Sequence, residues 1–72
     1  MALSKVEQSG FHKIISIQAE ALLLGKLAAL GLVPGAEIEV LHGALHGAAV
    51  VSCRGSDFVL GRGIAQQILV EE

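Results

Sequence analysis

His42, His46 and Cys53 are the side chains whose chemistry would suit a transition metal, and they fall within one short stretch of the chain. The histidines stand four apart, and Cys53 follows His42 by eleven. On a helix that histidine spacing would put both imidazoles on one face. Here a strand end and a glycine-rich loop carry them, so convergence does not follow. A metal site needs its ligands at about 2.0–2.3 Å in a defined geometry. His12 lies elsewhere, and Leu41-His42-Gly43-Ala44 is echoed by Leu45-His46-Gly47-Ala48, which alone accounts for the spacing. These read first as ordinary loop histidines. A weak divalent-metal site at His42, His46 and Cys53 is the alternative, and no cofactor is expected.

Other chemistry finds less support. Cys53 sits among Val50, Val51 and Ser52 with no cation or helix N-terminus beside it, the setting of a small buried hydrophobe rather than a reactive thiol. Asp57 and the glutamates form no close pair for acid–base work. No glycine-rich loop ends in Lys-Ser or Lys-Thr, so the chain is not itself a GTPase. Gly61-Arg62-Gly63 follows a strand, but no second strand–helix unit succeeds it, and it reads as a plain turn. No catalytic residue is expected, and the chain is read as a non-enzyme.

The elements that must position these side chains come from 72 residues, 53% hydrophobic and 3% aromatic. A chain this short is expected to form one domain and to bury about 60% of its unfolded surface. It cannot both fold and wall a deep cleft. Net charge is −2, and Lys5, Lys13, Lys26, Arg54 and Arg62 are scattered. Nucleic-acid binding wants a concentrated basic face, so no nucleic-acid partner is expected. A single cysteine rules out an internal disulfide and fits a reducing cytoplasm. Met1-Ala2-Leu3-Ser4 runs straight into Lys5 and Glu7, unlike a secretory signal. Residues 21–33 are apolar except for Lys26 and two glycines, but a membrane span needs about 20 such residues.

The pattern predicts a loosely attached lead-in over residues 1–10, with Leu3 and Val6 tucked against the rest. A first strand covers residues 11–17, with Phe11, Lys13, Ile15 and Ile17 on one face and His12, Ile14 and Ser16 on the other. One helix covers residues 19–30, with Ser16 or Gln18 near its start and Glu20 in its first turn. Leu23, Leu27 and Leu30 form its core stripe, which is to seal one end of a barrel, and Gly31 its C′ residue. Pro34-Gly35 has the type II turn signature. Strands follow over residues 37–42, with Ile38 and Val40 inward, then 48–54 and 57–60. A tight turn lies at Gly55-Ser56, an irregular stretch with at most one 3₁₀ turn covers 61–67, and Ile68 and Val70 form a last short strand. Short strands with glycine turns at such intervals read as a small barrel.

The helix is apolar nearly all round. Ala21, Gly25 and Ala29 make a small-residue stripe, Leu22 projects away from the core stripe, and only Glu20 and Lys26 are charged. Such a helix is usually covered on both sides. Either a partner covers the second side, or the lead-in or a strand does. If a partner does, the surface expected to carry it is Leu22, Lys26 and Ala29, with Ala44, Leu45 and His46 of the adjoining loop.

Residues 27–35, Leu-Ala-Ala-Leu-Gly-Leu-Val-Pro-Gly, followed by Glu37-Ile38-Glu39-Val40, resemble the central signature of FeoA-like domains. Leu60, Arg62, Ala65, Ile68 and Val70 are similar to that family's closing pattern, and Leu3-Ser4 and Gly10 to its lead-in. The match spans nearly the whole chain. It departs from the family in residues 43–49, which lack the usual proline, and in the apolar run before Ala65. The resemblance implies a mostly β, SH3-like barrel of about five strands, with one α-helix inserted after the first. It implies a cytoplasmic, non-catalytic accessory of bacterial ferrous-iron uptake. Its partner would be the cytosolic GTP-binding part of the FeoB transporter, with the membrane reached only through that transporter. Because the same barrel closes metal-dependent repressors, the alternative is a stand-alone metal-responsive regulatory domain. A third reading is a homo-oligomer paired through its apolar helix face.

Overall fold

Alternation of side chains organises the sheet in the computed structural model, which describes residues 1–43 and 47–71. In β2 (Glu37–His42), Ile38 and Val40 are buried and Glu37 is exposed, as the sequence predicts. In β1 (Gly10–Ile17), Ile14 is buried while Phe11 and Ile15 stand on the outer face. β3 (Ala49–Cys53) buries Ala49, Val51 and Cys53, β4 (Ser56–Leu60) buries Leu60, and β5 (Ile68–Val70) buries Ile68 and Val70. All pairings are antiparallel, in the order β4-β3-β2-β1-β5. Two bulges bend the sheet, one between Val40 and His42 and one between Ile14 and Ser16. Each adds a residue opposite one partner residue and tightens the local curl, which wraps the strands around one aliphatic core.

The turn chemistry explains where the strands stop. Ala36 N donates to Val33 O at 3.0 Å across Pro34-Gly35, closing the expected type II turn. The β3–β4 hairpin turns one residue earlier than expected. Its two central residues are Arg54 and Gly55, with φ of 54° and 81°, the signs a type I′ turn requires. Ser56 therefore already pairs with Cys53 at the start of β4, and β3 loses a residue at each end.

Helix α1 (Ala21–Ala29) starts later than the apolar pattern suggests. Its N-cap is Glu20, neither Ser16 nor Gln18. The Glu20 backbone is extended, and Oε1 accepts from the Leu23 amide at 3.0 Å. That satisfies one of the donors a helix start leaves free and sets an anion at the positive end of the dipole. The helix ends as expected at Gly31, whose φ is 90°. Gly31 N donates to Ala28 O and Leu32 N to Leu27 O, both at 2.9 Å, the paired bonds of a Schellman motif. This motif corrects the core stripe. Leu30 ends the helix and stays exposed, and the reversal at Gly31 delivers Leu32 to the core beside Leu27, with Leu23 only half buried.

Two expectations fail at the other end of the molecule. Residues 62–67 form an α-helix, α2 (Arg62–Gln67), and not an irregular stretch. Buried Ala65 and partly buried Ile64 anchor it, and Ala65 N donates to Gly61 O. The lead-in is not loosely attached. Residues Leu3–Lys5 form a 3₁₀ turn packed against α2 and β5, and Leu3 and Val6 are core residues, as the sequence predicts. Ala2 bridges Leu69, and Met1 O accepts from Val70 N at 2.8 Å.

Candidate docking surface on the first helix

What positions α1 also leaves it bare. Leu27 is its one buried residue among those described, and Leu23 packs partly against the core. Leu22, Lys26 and Ala29 fall within one face at spacings of four and three, and all three are exposed, Leu22 to 65%. Ala21, Leu24, Gly25, Ala28 and Leu30 are exposed as well. Among the described residues neither expected cover lies over this face: the lead-in packs on β5 and α2, and no strand buries the exposed residues of the helix.

The surface has charged ends. Glu20 caps the N-terminus, and Lys26 stands in the last turn, where the dipole favours a cation. Arg54 joins it from the β3–β4 turn. A Cβ placed on Gly31 would lie 3.1 Å from Arg54 Cδ, so this side chain lies across the helix C-terminus. The face is an apolar strip with a carboxylate at one end and two cations at the other. Nothing local in the sequence pairs Arg54 with Gly31, since the contact depends on the hairpin closing one residue early. Leu24 and Leu30 are exposed on other sides of the helix, and its all-round apolar character is the signal for them.

Of the metal candidates, His42 and Cys53 are not brought together. Alternation from Ile38 and Val40 would turn His42 inward, but the bulge at Leu41 reverses it. His42 pairs with Val50 on the outer side of the sheet, in an open groove lined also by Glu7, Ser9, Gly43, Gly47 and Ala48. Cys53 is buried on the inner side with Val51, and its Sγ lies 3.8 Å from Gly31 O. His12 is tied to the Glu71 carbonyl oxygen through Nδ1 at 3.0 Å. Ala44, Leu45 and His46 lie outside the described residues. Among those described, Ser4 is the one buried polar residue, and no buried side-chain polar atom lacks a partner. A concave site would need several such groups converging.

Five antiparallel strands curled around one aliphatic core, with a helix after the first strand, are the architecture of a small SH3-like barrel. The FeoA domain family matches residues 1–72, and the chain belongs to it. It is similar to the solution structure of the FeoA protein from Chlorobium tepidum, with 33% identity and a TM-score of 0.85 over 99% of this chain and 69% of that one. It is also similar to the crystal structure of an iron uptake regulatory protein, FeoA, with 30% identity and a TM-score of 0.86 over 99% and 95%. ScaR with bound Cd2+ shares the fold at 26% identity and a TM-score of 0.88, with this chain spanning 34% of its length. No curated protein sequence matches the chain. Among the described residues no helix is long and apolar enough to cross a membrane.

Proposed function

We propose that this FeoA-family chain is a non-catalytic, cytoplasmic accessory of bacterial ferrous-iron uptake that binds, through α1, the cytosolic GTP-binding part of a FeoB-like transporter. The observation that carries this reading is the exposed apolar strip of Leu22, Gly25 and Ala29, beside Lys26 and Arg54, on a barrel whose described residues leave no buried side-chain polar atom without a partner. Iron uptake comes from the family and from the FeoA relatives. A Leu anchor set among small residues lets a partner's side chains approach the helix backbone closely, and the end charges fix its orientation.

Leu22→Glu tests the reading. Leu22 makes no core contact, glutamate is a good helix former, and a carboxylate near the N-terminus suits the dipole, so the thermal midpoint is expected to move little. Capture of the transporter's cytosolic domain is expected to weaken by about tenfold or more, the loss typical of a truncated anchor residue. Unchanged capture with an unchanged melt removes α1 from the interface.

The similarity to ScaR favours a second reading, a stand-alone metal-responsive regulatory domain with a weak divalent-metal site. Calorimetry with Fe(II) or Mn(II) separates the two. Micromolar binding that disappears in both His42→Ala and His46→Ala supports the regulator. Heat that survives both substitutions leaves those side chains without that role.

A further inference from the structure

The ends of the sheet are treated differently. β5 is covered on its outer side, where Ala2 bridges Leu69 and Met1 exchanges backbone bonds with Val70. β4 ends the sheet on the other side, and among the described residues no backbone bond joins residues 56–60 to anything beyond β3. A two-residue hairpin makes Cys53 and Ser56 a hydrogen-bonded pair, so Val51–Phe58 and Ala49–Leu60 are bonded pairs as well. The residues between them, Asp57 and Val59, therefore aim their N–H and C=O groups away from β3. Both side chains are exposed, Val59 to 71%. Proteins blunt such edges with proline, lysine, bulges or covering segments. β4 pairs with β3 without a register shift, contains no proline or lysine, and carries Asp57 as its one charge.

We propose that β4 is a self-association edge, on which a second copy of this chain adds its own β4 antiparallel to the first, with the two-fold axis at Phe58. In that register all of residues 56–60 are paired. Asp57 lies opposite the partner's Val59, and Ser56 opposite the partner's Leu60. The outward-aimed groups of Asp57 and Val59 meet their counterparts, so each pair exchanges both backbone bonds. Sliding one copy by two residues shortens the overlap, and in one direction sets the two Asp57 carboxylates face to face, which is destabilising. Strand length and charge thus select one symmetric register, as a closed two-fold interface requires. An unrelated strand has no such match built in. The interface is small, below the roughly 1,200 Å² of a standard complex, so the dimer is weak and concentration-dependent.

Sedimentation from micromolar to millimolar protein tests this, read together with amide exchange along β4. The wild-type chain is expected to show a monomer–dimer equilibrium. The Asp57 and Val59 amides are expected to exchange more slowly as concentration rises, while that of Phe58, already bonded to β3, does not change. Val59→Lys is expected to raise the dissociation constant by about tenfold or more, because it sets a cation on the edge without touching the core. Val59→Pro removes the outward N–H at a position where an edge strand tolerates it, and is expected to do the same. Leu22→Glu is expected to leave the dimer intact, which separates this edge from the transporter-binding face. A monomer at every concentration overturns the proposal. So does a dimer kept by folded Val59→Lys, or one lost in Leu22→Glu.

Discussion

Leu3→Ala is expected to lower the unfolding free energy by about 2–5 kcal/mol, the range for removing a fully buried leucine side chain. Leu3 has no exposed surface and sits in the same cluster as Val6, Ala65, Ile68 and Val70. Its 3₁₀ turn is held by Lys5 N donating to Ala2 O and Val6 N to Leu3 O, so the backbone is not free to collapse into the cavity. A domain of 72 residues has roughly 4–11 kcal/mol of stability in all, at about 0.05–0.15 kcal/mol per residue. The loss is therefore a large share of the total. Urea denaturation followed by circular dichroism measures it. A midpoint that barely moves would mean the first residues are an appendage and not a wall of the core.

The second large effect is at Gly43. A Cβ built there falls on the carbonyl oxygen of Val6, a backbone atom that no rotamer change can move aside. Gly43→Ala must push the end of β2 away from the lead-in, and overpacking of this kind costs about 1–3 kcal/mol. Gly25→Ala provides the contrast. A Cβ at Gly25 meets nothing within 4 Å, and alanine in a helix interior is favoured over glycine by about 0.8–1.0 kcal/mol. The two identical chemical changes are thus expected to shift the thermal midpoint in opposite directions. Equal shifts in the two variants would mean that β2 and the lead-in do not touch.

How far the sequence reveals this molecule depends on the range of the contacts involved. Local chemistry was readable at Gly31, Pro34 and Gly35, and in the alternation of Glu37 to Val40, because each rests on neighbours within four residues. The bare face of α1 could be anticipated as an excess of apolar residues, though composition alone could not decide what covers it. The burial of Leu3 and Val6 is legible as apolar residues in a polar lead-in, but the firm attachment of that segment is not, because a 3₁₀ turn of three residues has no periodicity and its partners, β5 and α2, come from the far end of the chain. Gly61 and Gly63 hide α2, whose helical form depends on the burial of Ala65. The histidine and cysteine positions depend on parity. One bulge at Leu41 moves His42 to the opposite side of the sheet from Cys53, and no residue type announces a bulge.

The SH3-like fold is shared by free-standing FeoA proteins and by a much longer metal-bound protein, so the fold alone does not assign a role. The role therefore rests on the surface this chain leaves apolar, the exposed face of α1.

Amide chemical-shift mapping of the labelled chain, titrated with the isolated GTP-binding domain of the FeoB-like transporter proposed as its partner, bears most directly on that surface. The expected result is saturable shifts grouped on Leu22, Gly25, Lys26 and Ala29, with Arg54 following. Saturable shifts confined to α2 or the lead-in, or none at concentrations where the domain is folded, would contradict the account.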